Sequence, residues 1–403
     1  MHQDANRCLK CKNALCQKNC PIHTDIPKII DLYINNEIKK AQELLFKHNP
    51  LSAICSLVCD HQRQCFGHCV LNHKNVPIHF YEIEQELSLA YLNDVHFDKN
   101  EITKAKVAII GQGPCGIASA ILLSDDGYDV TMFDENSDLG GVLRYGIPDF
   151  RLDKKIVDHY KRILLEKGVK LRNNVRIGTT ISLSKLKDNF DIILIATGTS
   201  MAKMANIKNE TVYNMHYAVD FLKDPSSFDL GHKVIVIGGG NVAMDASRCA
   251  KRLGYDTYVY YRKTFEDMPA NKDEIEEAIA EGVKFEVFEV PIAMDDKGMI
   301  FAKGKNEIDE NGKKYTVTIA DTEHHVDCDS VIAAISQTLR VDFKELSLNK
   351  WGFYETDDKH MTSMDNVFVA GDAYLGAKTV VSASNDAYEV VKCIKEKLGD
   401  ISE

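Results

Sequence analysis

The chain has 403 residues, 44% of them hydrophobic and 27% charged, with a formal net charge of -11. This length and apolar content allow two or three domains with real cores, and the acidity excludes general nucleic-acid binding, which requires a basic face. The opening MHQDANRCLK lacks the apolar stretch of a signal peptide, and the longest apolar runs, such as FDIILIATG, are far too short to span a bilayer. A cytoplasmic protein in a reducing compartment, with no membrane partner, is expected.

Eight of the twelve cysteines lie in the first 69 residues, as Cys8, Cys11, Cys16 and Cys20, then Cys55, Cys59, Cys65 and Cys69. In a chain read as intracellular, such spacings favour metal ligation over disulfides. Between the two runs, HTDIPKIIDLYINNEIKKAQELLFKHNP predicts two amphipathic helices, with Pro27 near the start of the first and Ile26, Ile29, Ile30 and Tyr33 on one face. YEIEQELSLAYL predicts a third helix, and NDVHFDKNEITKAK a linker.

From Lys106 the grammar becomes strand, glycine turn, helix, strand. It returns at Lys233, which predicts two dinucleotide-binding folds with parallel sheets. In the first, Gly111, Gly113 and Gly116 permit the tight turn, the approach of a pyrophosphate and the packing of helix on strand. The helix opening at Pro114 offers free amides to phosphate, and Asp134, 23 residues after Gly111, is placed for an adenosine ribose.

In the second fold, Gly238, Gly240 and Ala243 repeat the turn, with Asn241 and Val242 opening the helix. The position 23 residues after Gly238 is Tyr261, followed by Arg262 and Lys263. Two cations there attract a 2′-phosphate that a carboxylate would repel, so NADPH is favoured over NADH; otherwise the pair is a solvated strand end. Residues 283–335 alternate apolar and polar with a turn at Asn311-Gly312, and read as strands. Cys115, Cys249, Cys328 and Cys393 stand alone and read as small, mostly buried hydrophobes. His324-His325 falls in an expected hairpin, and a metal site there is disfavoured.

VAIIGQGPCG, the ATG turn at 196–198, and VFVAGD followed by TVV resemble the two-dinucleotide-domain flavoproteins. The resemblance implies FAD in the first fold and a nicotinamide nucleotide in the second. It assigns Gly198 and the Gly371-Asp372 turn to FAD, and the amides near Thr379 and Val380 to its ring. Two glycines usual in that family are Ser336 and Ala387 here.

The cysteine head, NPLSAICSLVC, PIHFYEIE and above all GGVLRYGIPDFRL resemble a narrower group. It comprises the small chain of glutamate synthase, the NADPH-side subunit of electron-bifurcating transhydrogenases and the N-terminal half of dihydropyrimidine dehydrogenase. Overall length is most similar to the separate small subunit of the bacterial dihydropyrimidine enzyme. Cysteine spacing alone admits two zinc sites of four thiolates or two 4Fe-4S clusters; a flavin in the same chain favours the clusters.

The resemblance implies Cys8, Cys11, Cys16 and Cys69 on one cluster, and Cys20, Cys59, Cys65 and Glu84 on the other, with Cys55 a bystander. It also implies Gly141 and Arg151 near the flavin. The expected fold class is α/β, with two Rossmann-like domains after a small all-α iron-sulfur domain. The expected limits are 1–99 for the helical domain, 100–225 with 339–403 for FAD, and 226–338 for NAD(P)H.

The expected activity is electron input from NAD(P)H through FAD and two 4Fe-4S clusters to a partner catalytic subunit in a hetero-oligomer. Dihydropyrimidine reduction is the first expectation for the partner, with glutamate synthesis or bifurcation behind it. The rivals are a zinc-stabilised interaction protein and a standalone oxidase or quinone reductase.

Overall fold

The computed structural model describes residues 2–312 and 314–400, which divide into two compact units. The first takes Met1–Arg144, Asp149–Ser200 and Thr338–Glu403; the second takes Tyr145–Pro148 and Met201–Gln337.

The first unit begins with the cysteine-bearing helices. Helix Ile26–Ile34 starts where Asp25 accepts the Lys28 amide at 3.4 Å and Pro27 occupies the first turn, and it buries Ile26, Ile29, Ile30 and Tyr33 as their spacing requires. Helix Ile38–His48 buries Ala41 and Leu45 against it, and Phe80–Asp94 supplies Ile83 and Leu87 to the same core.

The unit's sheet holds five parallel strands, in the order Val367–Val369, Ile192–Ile195, Lys106–Ile110, Asp129–Phe133, Lys170–Arg172. Val107, Ala108 and Leu194 are wholly buried, as expected of strands covered on both faces, and each large side chain so buried contributes about 1.5–3 kcal/mol.

The helical head is not separated from this sheet at residue 99. The Arg162 guanidinium, on helix Lys154–Glu166, donates to the carbonyls of Leu92 and Val95 at 2.6 and 2.7 Å. The Lys167 ammonium lies 3.7 Å from the centroid of the Phe97 ring, and Ser384 Oγ donates to Asn49 Oδ1 at 3.0 Å. The expected linker is therefore clasped onto the nucleotide fold.

The second unit has a parallel sheet in the order Met215–Tyr217, Ser330–Ala333, Lys233–Ile237, Asp256–Tyr261, Lys284–Val287. It begins at residue 201 and not at 226, because the three-residue strand Met215–Tyr217 pairs with Val331–Ala333. A second, antiparallel sheet is built from Glu289–Met294, Gly298–Ile308, Lys314–Thr318 and His324–Asp327, with the Asn311-Gly312 turn between its middle strands. No helix among the described residues is long and apolar enough to cross a membrane.

Arg248, on helix Asn241–Arg252, has a side chain only 3% exposed and bridges Glu274, Glu277 and Glu281 at 2.8, 2.6 and 2.7 Å. Replacing it strands charges that are themselves partly solvated. Arg248→Met is expected to lower the unfolding free energy by about 2 kcal/mol, read as a lower midpoint in urea.

Candidate functional site

In the first unit, four turns follow the carboxyl ends of neighbouring parallel strands, the edge where open α/β sheets bind ligands. Gly111 has φ +112°, and a Cβ there would stand 2.3 Å from the carbonyl oxygen of Ala196, so the glycine turn lies against the ATG turn that ends at Gly198. A Cβ on Gly116 would meet the Gly111 oxygen at 2.1 Å, and one on Gly141 would meet Gly113 Cα at 2.8 Å. Each is a cradle with room for backbone alone, which fits close approach to a pyrophosphate.

Helix Pro114–Asp125 opens at this turn. A Cβ on Gly371 would meet Cys115 Cβ at 2.8 Å, which brings the Gly371-Asp372 turn to the same helix end. Thr379 caps the last helix, Val380–Lys397, by accepting the Ser382 amide at 3.2 Å, and that helix packs along Pro114–Asp125. Arg151 is half-buried beyond Gly141.

Asp134 is engaged by the protein itself. Its Oδ2 accepts the Gln112 amide at 2.7 Å, and its Oδ1 accepts the backbone and side-chain N–H groups of Asn136 at 2.8 and 2.9 Å. Burial pushes its carboxyl up, and these donors pull it back. The carboxylate thus holds the glycine turn in shape.

In the second unit, Gly238 has φ +142°, and a Cβ would stand 2.3 Å from the Ala334 oxygen. Gly239 carries the Tyr261 ring, 2.7 Å from where its Cβ would be, and the Tyr261 hydroxyl donates to Asp267 O at 3.0 Å. Helix Asn241–Arg252 carries Asn241, Val242 and the buried Ala243. Asn241 Oδ1 accepts the Asn271 amide at 2.8 Å, so the 264–271 loop folds over Gly240. Arg262 is exposed and Lys263 half-exposed at the strand end, and among the described residues neither enters an ion pair.

The thiols fall into two neighbourhoods. Burial raises Cys8 and pushes Cys16 up to about 12, and both feel Cys69 and Cys11. These four and Cys65 line one shallow cavity whose rim leaves Leu9 and Leu15 exposed. Deeper, burial raises Cys20, Cys65 and Glu84, and Cys59 is raised first by its hydrogen bond to Cys55 and then by burial. Glu84 acts on Cys20, Cys59 and Cys65.

The neighbourhoods overlap at Cys65, which lines the outer cavity and also feels Cys20 and Glu84. Buried thiols and a carboxyl that ionise only with difficulty fit a site where cationic metal replaces protons. Among the described residues, no three such donors close on a single point. Cys55 is not set apart: its side chain is buried beside Cys59 and acts on Glu84.

Sequence reasoning missed Tyr160, Asp386 and His360. Tyr160 is fully buried on helix Lys154–Glu166 and feels Cys55 and Glu84, which sets a residue of the nucleotide fold beside the deeper thiols. Asp386 is a charge within the buried stripe of the last helix, between Ala383 and Val390, and that interruption was its available signal. His324 and His325 pair with carboxylates, at 3.3 Å to Glu289 and 3.2 Å to Asp295. Cys115, Cys249 and Cys328 are buried as expected, whereas Cys393 is only partly so.

Two nucleotide folds behind a thiol-lined helical head define a flavin- and iron-sulfur-type oxidoreductase. Residues 105–387 match the family described as pyridine nucleotide-disulphide oxidoreductase, to which the chain belongs, and residues 1–95 match dihydropyrimidine dehydrogenase domain II, 4Fe-4S cluster. The chain is 30% identical to the glutamate synthase [NADPH] small chain of Azospirillum brasilense, over 98% of its own length and 88% of that protein. It is 29% identical to the NAD-dependent dihydropyrimidine dehydrogenase subunit PreT of Salmonella typhimurium, over 98% and 94%.

It is also 30% identical to the putative oxidoreductase AegA of Escherichia coli, but spans only 65% of that relative's length. The solved structure of Mycobacterium tuberculosis FprA in complex with NADPH shares the fold, with a TM-score of 0.65 at 18% identity over 74% of this chain and 85% of that one.

Burial lifts the Asp372 carboxyl from 3.8 to about 7, with Asp386 adding to the rise. The folded chain therefore holds this proton more tightly than the unfolded one, and its contribution to stability is lost as pH rises from about 4 to about 7. In flavin-free protein, Asp372→Asn is expected to flatten the fall in unfolding free energy across that window, measured by urea unfolding at stepped pH.

Proposed function

We propose that this chain is the electron-input subunit of a larger oxidoreductase, taking hydride from NAD(P)H and delivering single electrons to a partner catalytic subunit. FAD and two 4Fe-4S clusters, when bound, would supply the conversion of a two-electron donor into one-electron steps. The observation that supports this reading is the gathering of Cys8, Cys11, Cys16, Cys65 and Cys69 around one cavity, with Cys20 and Glu84 acting on Cys65, in the same compact unit as the first nucleotide turn; on the resemblance these donors divide into Cys8, Cys11, Cys16, Cys69 and Cys20, Cys59, Cys65, Glu84.

The residues' own task would be positioning, because direct hydride transfer, the chemistry these cofactors would supply, requires no nucleophile or proton relay. Gly111, Gly113, Pro114, Gly116, Gly198, Gly371, Asp372, Thr379 and Val380 would hold FAD, with Asp134 shaping the turn and Gly141 and Arg151 beside it. Gly238, Gly240, Asn241, Val242 and Ala243 would hold the nicotinamide nucleotide. Arg262 and Lys263, uncommitted to carboxylates, favour a 2′-phosphate and hence NADPH.

The partner's reaction is dihydropyrimidine oxidation or reduction, on the likeness to the dehydrogenase subunit over nearly the whole of both chains. Glutamate synthesis is the second reading, supported by the 30% identity to glutamate synthase small chains.

Anaerobically reconstituted protein is expected to contain iron and acid-labile sulfide and to reduce an artificial dye with NADPH. Zinc without sulfide, or no dye reduction with either nucleotide, would refute the electron-input reading. Replacing Arg262 and Lys263 together by Ala should raise KM for NADPH about tenfold or more while leaving KM for NADH nearly unchanged, in steady-state dye assays. Glu84→Ala should abolish or alter one of two iron-sulfur signals in the electron paramagnetic resonance of reduced protein, and leave the FAD content intact.

A further inference from the structure

The turn assigned to the flavin cannot hold its own shape. Gly371 has φ +66° and ψ -151°, a combination open essentially to glycine alone, and such backbone persists only where its surroundings enforce it. The enforcement comes from beneath. The Gly371 N–H donates to Asp386 Oδ2 at 2.6 Å, and Asp386, on the last helix, is 6% exposed.

Behind Asp386 stands His360, itself 8% exposed. Its Nδ1–H donates to the carbonyl of Val369 at 3.1 Å, and the Val369 amide returns a bond to the His360 carbonyl at 2.9 Å. A carbonyl can only accept, so Nδ1 carries a proton, and Nε2 faces Asp386 Oδ1 at 3.8 Å. The Tyr374 ring, one turn beyond Gly371, packs 4.7 Å from the imidazole centroid. Residues 369–371, where the strand becomes the turn, are thereby gripped by two buried side chains that sequence reasoning did not single out.

We infer that the buried Asp386–His360 pair is a positioning element for the flavin dinucleotide. It holds the Gly371 amide inward, away from any phosphate, and leaves the Asp372 carboxyl as the group with which the turn meets the ligand. Without the Asp386 oxygen, the Gly371 peptide would have a buried unsatisfied N–H and would turn toward another acceptor, carrying Asp372 with it. Burial raises the Asp386 carboxyl, while the Gly371 amide and His360 favour its ionised form, so these partners also keep the carboxylate tolerable inside the fold.

The inference rests on the flavin reading of the Gly371-Asp372 turn. Its test is the FAD dissociation constant of the full-length, flavin-free chain, read from quenching of flavin fluorescence, beside the NADPH dissociation constant of the same samples. Asp386→Ala should weaken FAD at least tenfold, about 1.4 kcal/mol. Asp386→Asn keeps an oxygen for the Gly371 amide and should recover to within about threefold of the parent chain. His360→Leu, which leaves Asp386 in place but unsupported, should fall between the two. NADPH binding should be unchanged throughout.

Parent-like FAD affinity in Asp386→Ala, or Asp386→Asn as weak as Asp386→Ala, would overturn the inference. Should Asp386→Ala fail to fold, parent-like FAD affinity in His360→Leu would do so. A parent chain that binds no FAD would overturn the flavin reading itself, and so is told apart from failure of the positioning role.

Discussion

Both nucleotide folds depend on one close approach, made twice. At Gly111 and again at Gly238, a Cβ would stand 2.3 Å from a carbonyl oxygen, that of Ala196 in one unit and of Ala334 in the other. No side chain fits there, so each strand can leave its sheet only through a glycine at positive φ, and the backbone that follows is bare enough for a phosphate to approach. The other site residues follow from where that turn leads. In the first unit a further glycine, Gly116, presses the helix onto the turn; in the second, Ala243 tolerates a looser fit and the Tyr261 ring covers Gly239.

The head obeys a different constraint. Its eight cysteines bring many donors and little apolar volume, yet its helices bury a continuous core from Ile26 to Leu87. The clasp of Arg162 on the carbonyls of Leu92 and Val95 extends that core onto the nucleotide fold. A rigid attachment of this kind suits electron transfer, where the separation of centres must not drift, and the placing of Tyr160 beside the deeper thiols is one result of it.

Much of this was legible in the sequence because it is periodic. The stripe Ile26, Ile29, Ile30, Tyr33 and the runs VAII, IILI and VIVI declare their elements by themselves. Three-residue Met215–Tyr217 carries no period, so the start of the second unit lay hidden until its pairing with Val331–Ala333 was seen. Spacing could not say that Cys69 neighbours Cys8 and Cys16, because that is decided by the helices folded between them. His360 gave no signal at all, since its role comes from a contact with Asp386, 26 residues further along the chain.

Four carboxyls, the buried Glu84, Asp134 and Asp386 and the half-buried Asp372, stand at or beside the assigned cofactor positions, and desolvation pushes every one of them up. None has a lysine or arginine as its principal partner: Asp134, Asp372 and Asp386 are restrained first by backbone amides, helped by the Asn136 side chain, the Lys378 charge and His360 respectively, and Glu84 by nothing among the described residues. A fold that kept these groups for its own stability would pair them with cations. Leaving them without a cation as principal partner makes the fold less stable than it could be. By linkage, any group that binds only the folded chain stabilises it in proportion to its affinity. Binding at these positions and the stability of the fold are therefore linked.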